Sequence, residues 1–200
     1  MDLSDKSNKK LRTGFTTGTC ATASSKAALL AIIEQNSVNG VDVLLPKRDR
    51  IKIKINSCEF SKSHAKCSVI KDGGDDPDVT HGAEIFVDLS LTDDIGSVEI
   101  DGGEGVGRVT KPGLGLEIGG AAINPTPKKM ILENVQEVGG QILKQNGIKI
   151  VISVPKGKEL AENVKGEIID LVHEKGRDVP LAKVRFNEDR KSTRLNSSHT

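Results

Sequence analysis

The sequence contains no tryptophan, no tyrosine and only four phenylalanines, Phe15, Phe60, Phe86 and Phe186. It therefore has few aromatic platforms on which single-stranded bases stack. It also lacks a dominant charge sign: 29 Lys and Arg stand against 28 Asp and Glu, a formal net charge of +1. That balance supplies no global field for holding nucleic acid or an anionic membrane. Cys20, Cys58 and Cys67 are odd in number and share no CxxC spacing. This argues against a disulfide framework and a closed zinc site, and fits a reducing cytoplasm. The longest apolar run, Ala27 to Ile33, is seven residues long, far below the roughly 20 that a membrane span needs. The opening MDLSDKSNKK leads into no apolar stretch of the signal-peptide kind. The expectation is a cytoplasmic protein with no nucleic-acid partner, no membrane partner and no metal site of its own.

What is present is enough apolar sequence for one sizeable core: 36% of 200 residues. Thr16, Thr17 and Thr19 lead into Cys20 to Gln35, apolar on more than one face, which reads as a largely buried helix entered through a Thr-rich cap. Val41 to Leu45, then Ile51, Ile53 and Ile55 alternating with Lys52 and Lys54, read as strands around a turn at 46–50. Ala65 to Ile70, the alternating Ile85, Val87, Leu89 and Leu91, and Val98 to Ile100 add further strands. Pro125 and Pro127 suit the first turn of a second helix carrying Ile131, Val135, Val138 and Ile142, weakened at Gly139 and Gly140. Ile148, Ile150, Ile152 and Val154 form one more strand, and Leu160, Val164, Ile168 and Leu171 suggest a third helix. The fold class is α+β, a mixed, largely antiparallel sheet with two or three helices. The organisation expected is a polar lead at 1–10, an α+β domain at 11–155, a divergent helical segment at 156–190, and a tail at 191–200, KSTRLNSSHT, that reads as non-native sequence.

Four segments carry candidate chemistry. Glycine and aspartate crowd the middle of the chain, with 12 of 21 glycines between Lys71 and Gly120, so unusual backbone is expected there. Lys71 to His81 holds Asp72, Asp75, Asp76 and Asp78. The spacing is not that of an EF-hand, which leaves a solvated Asp-Pro turn or a polar site in which Lys71, Asp72 and His81 bond a substrate and His81 exchanges a proton. Asp101 to Thr110 spaces Gly102, Gly103, Gly105 and Gly107 ahead of Arg108. It reads either as a main-chain anion cradle or as a mobile hairpin. Arg12 to Cys20 presents Thr16, Thr17 and Thr19 at the positive end of a helix, which suits a carboxylate or phosphate, while Cys20 reads as packing rather than as a nucleophile. Gly119 to Pro127 leads into the second helix and can present Asn124 to a ligand.

Taken in order, RTGFTTGTCATASSKAAL, KDGGDDPDVTHGAEI, GGEGVGRVTKPGL and GGAAINPTPKKMI resemble the CbiD family of cobalamin-biosynthesis proteins, the cobalt-precorrin-5B C(1)-methyltransferases. The resemblance covers about Leu11 to Val164. It implies methyl transfer from S-adenosyl-L-methionine, as cosubstrate, to C-1 of a cobalt tetrapyrrole in anaerobic cobalamin synthesis, with cobalt present only as part of the substrate. It also implies a first domain like a circularly permuted ribosomal protein S5 domain 2-like fold, followed by an α/β domain, and leaves other corrin-pathway enzymes as potential partners. Asp72, Asp75, Asp76 and His81 are the candidate catalytic residues. The candidate substrate- or cofactor-binding residues are Thr16, Thr17, Thr19, Lys71, Gly102, Gly103, Gly105, Gly107, Arg108 and Asn124. Beyond Glu162 the chain departs from the family pattern and reads as a truncated member whose second domain is absent or incomplete. The competing readings are a non-catalytic anion- or tetrapyrrole-binding module and a phosphate-binding transferase; the lack of GxxxxGK[ST] counts against the latter.

Overall fold

The computed structural model describes residues 12–75, 80–110 and 117–155, and the backbone of 166–172, 181–186 and 192–195. Two compact units divide at Gly157 and Lys158.

In the first unit, helix α1 spans Thr17–Glu34. Strands β1 (Gly40–Leu44) and β2 (Arg50–Lys54) form an antiparallel hairpin that is a sheet of its own. Strands β3 (Ser57–Phe60), β4 (His64–Ile70), β5 (Glu84–Thr92), β6 (Val98–Gly102) and β7 (Gly147–Ser153) build a five-stranded sheet ordered β3-β4-β5-β7-β6. All its pairs are antiparallel except β6 with β7. Helix α2 occupies Pro125–Gly139, with a proline in its first turn as the sequence predicts, and Ile142 falls beyond it in a single 3-10 turn. The expected mixed, largely antiparallel α+β architecture with two helices is thus present.

The period-two pattern explains the core. Ile85, Val87 and Leu89 of β5, Ala65, Cys67 and Val69 of β4, and Ile148, Ile150 and Ile152 of β7 are all buried. Burial of each large aliphatic side chain contributes about 1.5–3 kcal/mol. Helix α1 packs against β3, β4 and β5 as well as β1 and α2, so most of its circumference is covered. This accounts for its lack of a polar face: Cys20, Ala23, Ala27, Ala28, Leu29 and Ala31 are fully buried. Small residues let that many neighbours approach one helix.

The hairpin is tied on by polar contacts. The ammonium group of Lys26, on α1, donates to the Asp42 carbonyl (2.7 Å) and to Glu137 of α2 (2.8 Å), and Arg50 pairs with the other Glu137 oxygen. The Arg50 hydrogen bond, then that of Lys26, holds the Glu137 carboxyl well below its usual range, at about 2. Because the folded-state value is the depressed one, this stabilisation is present above the unfolded pKa and is lost as pH falls through the folded value. The Glu137 side chain keeps 34% exposure, so screening limits the contribution to about 1 kcal/mol. The urea midpoint is expected to fall from about pH 5 to about pH 3, with a shallower fall in Glu137→Gln. Parallel curves for the two proteins would remove this pairing from the acid response.

The second unit, residues 158–200, contains β8 (Gly166–Val172), β9 (Leu181–Phe186) and β10 (Ser192–Leu195) in an antiparallel sheet ordered β10-β9-β8. This corrects the helical reading of 156–190 where that segment is described. Ile168 and Leu171 belong to a strand, whose β-branched Ile168, Ile169 and Val172 favour extended backbone. A register shift between Ile168 and Asp170 breaks the strict alternation that marks a strand in sequence. Leu160 and Val164 lie outside the described residues.

Candidate functional site

Strand registers bring the singled-out segments to one end of the five-stranded sheet. Ile70 pairs with Glu84, Phe86 with Ser153, and Gly102 with Ile152. The β4–β5 loop carrying Lys71 to His81, the glycine-rich loop after β6 and the exit of β7 therefore emerge side by side. The Gly103 N–H donates to the Ile152 carbonyl (2.8 Å) and the Val154 N–H to Glu104 (2.8 Å). The segment leading into α2 joins through Ala122 N–H to Gly107 O (2.9 Å), Val109 N–H to Gly120 O (3.0 Å) and a bridge between Arg108 and Ala121.

The segment leading into α1 crosses the β4–β5 loop backbone to backbone. The Phe15 N–H donates to Asp72 O (2.7 Å), Asp75 N–H donates to Arg12 O (3.0 Å), and Thr13 bridges Gly74. No side chain fits between them at this crossing. A Cβ on Gly14 would lie 2.0 Å from the Gly73 carbonyl carbon, and Gly74 adopts φ +68° beneath the Arg12 carbonyl. The two helix starts also meet, since a Cβ on Gly18 would approach Pro127 Cγ to 2.9 Å.

Charges at this end are largely paired within the protein. The Arg12 guanidinium donates to both Asp72 oxygens, one at 2.8 Å, and the Gly74 N–H adds a bond of 2.9 Å. The Arg12 hydrogen bond, followed by that from Gly74, holds the Asp72 carboxyl below its ordinary range. Asp75 accepts from the Arg12 N–H (2.7 Å). Arg108 donates to both oxygens of Asp101 and to the Gly102 carbonyl (2.7 Å), and lowers the Asp101 pKa.

The hydroxyls and glycines divide in the same way. Thr16 is the cap of α1, its oxygen accepting from the Thr19 N–H (3.1 Å), and Thr19 is itself buried. The Thr17 hydroxyl lies 3.5 Å from that of Thr80. His81 is exposed; its Nδ1 accepts from the Gly73 N–H (3.0 Å), leaving the ring proton on Nε2. Lys71 is only 1% exposed. In the glycine-rich loop, the N–H groups of Gly102 and Gly103 donate to Asp101 and Ile152, and Gly105 takes φ +73°. Asn124 stands at the cap position of α2 without a side-chain bond to its first turn. Asp76 lies outside the described residues.

Sequence reasoning missed Arg12 and Asp101. Both are the opposite-charge partners of residues it singled out, meeting them across 60 and 7 positions. The only local signal was Asp101 directly ahead of the glycine run. Among the described residues there is no group of three or more His, Cys, Asp and Glu placed to hold a metal ion, and no helix is long and apolar enough to cross a membrane.

The sequence profile of the family described as CbiD matches residues 4–172. The chain is 48% identical over 157 residues to the cobalt-precorrin-5B C(1)-methyltransferase of Priestia megaterium, covering 78% of this chain and 42% of that protein. With the protein of the same name from Geobacillus kaustophilus it shares 51% over 154 residues, 77% of this chain and 41% of the relative. The crystal structure of the cobalamin biosynthesis protein cbiD from Archaeoglobus fulgidus superposes with a TM-score of 0.52 at 31% identity, covering 76% of this chain and 46% of that one. The chain thus spans about two fifths of the length of the curated relatives it matches. On a profile match that runs through all four loop segments, now seen gathered at one end of a single sheet, the chain belongs to the CbiD family.

Proposed function

We propose that this chain is part of an enzyme that transfers a methyl group from S-adenosyl-L-methionine to C-1 of cobalt-precorrin-5B, giving cobalt-precorrin-6A in cobalamin biosynthesis. The loop end of the five-stranded sheet supplies part of the surface that holds the two substrates. The observation that supports the reading is the convergence of four segments, distant in sequence, at that end, in a chain whose relatives bear that methyltransferase's name.

The reaction is a displacement. The electron pair at C-1 forms a bond to the methyl carbon while the carbon–sulfur bond breaks onto sulfur, leaving S-adenosylhomocysteine. It needs in-line placement more than proton transfer, so rate comes from rigid positioning. The paired carboxylates fit that demand: Asp72 and Asp75, both bound by Arg12, hold the β4–β5 loop against the start of α1. Asp76 and His81 are the loop's proposed contacts to the reacting groups. The acidic side chains of the tetrapyrrole are assigned to Thr17 and the first turn of α1, where hydroxyl and helix dipole favour an anion, while Lys71, buried beneath the loop, supports it from below. Asn124 and the backbone of Gly103, Gly105 and Gly107 complete the wall, with Arg108 and Thr16 fixing its shape.

Asp72→Asn, made in a full-length family enzyme, keeps the shape but removes the charge that grips Arg12. Turnover is expected to fall about 10- to 100-fold with little change in urea midpoint. Unchanged turnover would sink the assignment of this loop. Calorimetric titration of the 200-residue chain with S-adenosylhomocysteine, with and without a cobalt corrinoid, then locates the donor site. Binding places it in this chain, and failure of the folded chain to bind places essential donor contacts elsewhere.

A further inference from the structure

We propose that Cys58 and Cys67 form a thiol–disulfide exchange site, closing into a cross-strand disulfide on reaction with a low-molecular-weight disulfide of the glutathione type. The two residues face each other in the β3–β4 register, and their sulfurs are 3.1 Å apart. Ser61 donates its N–H to His64 O (2.7 Å), which makes 61 and 64 a hydrogen-bonded pair. Alternation by two places Cys58 and Cys67 in the non-hydrogen-bonded class, where Cα atoms approach to about 4.5 Å. That lies inside the roughly 4.4–6.8 Å window a disulfide spans, so closure needs side-chain rotation rather than movement of the strands.

The two sulfurs are not equivalent. Cys58 lies on the edge strand of the sheet and is half-buried, whereas Cys67 is fully buried one strand inward. Cys58 Sγ accepts from the Val38 N–H (3.5 Å) and from the Cys67 thiol, and of the two sulfurs it is the one an incoming disulfide reaches from solvent. Burial, then the Cys58 hydrogen bond, pushes the Cys67 thiol up, so Cys58 attacks first. Its thiolate forms a mixed disulfide and expels one small thiolate. Cys67 then loses its proton to solvent and attacks the Cys58 sulfur, expelling the second small thiol. Two protein thiols are oxidised, one small disulfide is reduced to two thiols, and the exchange reverses with excess reductant.

The test uses the full 200-residue chain, incubated with oxidised glutathione, quenched by alkylation under denaturing conditions and mapped by mass spectrometry. The expected product is a Cys58–Cys67 link that dithiothreitol removes, with a higher Tm than the reduced protein. Cys67→Ser should stop at glutathionylated Cys58, and Cys58→Ser should yield no Cys67 adduct on the same timescale. Glutathionylated Cys58 with an alkylated Cys67 in the unsubstituted protein would overturn the proposal, as would two alkylated thiols.

Discussion

Gly14→Ala is expected to lower the stability of the first unit by about 3–5 kcal/mol, a fall in Tm on the order of 10 °C. The added methyl group would sit 2.0 Å from the Gly73 carbonyl carbon and 2.2 Å from its oxygen. Both obstacles are main chain, so no rotamer change relieves them, and the crossing must open. Once open, it releases the Phe15–Asp72 and Asp75–Arg12 bonds together. Gly82→Ala is the control: Gly82, unlike Gly14, has positive φ, +76°, but nothing lies within 4 Å of a Cβ there. That substitution should cost only about 1 kcal/mol, the penalty of left-handed backbone. Equal thermal melts for the two variants would show that the α1 leader does not cross the β4–β5 loop as described.

Asn134→Ala is expected to cost about 2–4 kcal/mol. Asn134 is fully buried on α2; its oxygen accepts from the Leu44 N–H, and its amide nitrogen donates to the carbonyls of Leu44 and Met130, all at 2.9 Å. One side chain thus imitates a neighbouring strand and satisfies both main-chain groups of the last residue of β1. Truncation strands those groups. Asn134→Asp should be worse near neutral pH, because it turns a carboxylate towards two carbonyl oxygens. Urea unfolding should show the midpoint falling in the order wild type, Ala, Asp at unchanged slope. An Asp variant as stable as wild type would remove the amide from its assigned role.

Where a segment's own residues decided its conformation, the sequence was readable. Ile85, Val87 and Leu89, and Ile148, Ile150 and Ile152, announce half-buried strands by alternation, and Pro125 marks the start of α2. Strand β3, with the composition Ser-Cys-Glu-Phe, carries no such signal; it is made a strand by its partner β4. The separation of β1–β2 from the main sheet was hidden for the same reason, since alternation names a face and not a neighbour. At the site, the four loops were visible through their glycines, aspartates and threonines. That Arg12 neutralises Asp72, and Asp101 neutralises Arg108, depends on the crossing of segments and on the turn after β6, so charges that looked available for ligands turn out to lock the loops.

The parallel pairing of β6 with β7 sets an order of events in time. Val98 meets Ile148, fifty positions further on (148 − 98), and the intervening chain holds both the glycine-rich loop and α2. By contrast, β4 and β5 meet across a single loop. Because the entropy of closing a long connection must be lost before its contacts form, the β4–β5 pair should assemble early and the β6–β7 closure late. The glycine-rich loop after β6 and the start of α2 then take shape only in the last steps of folding. Substitutions there should leave the refolding rate nearly unchanged and show themselves in faster unfolding.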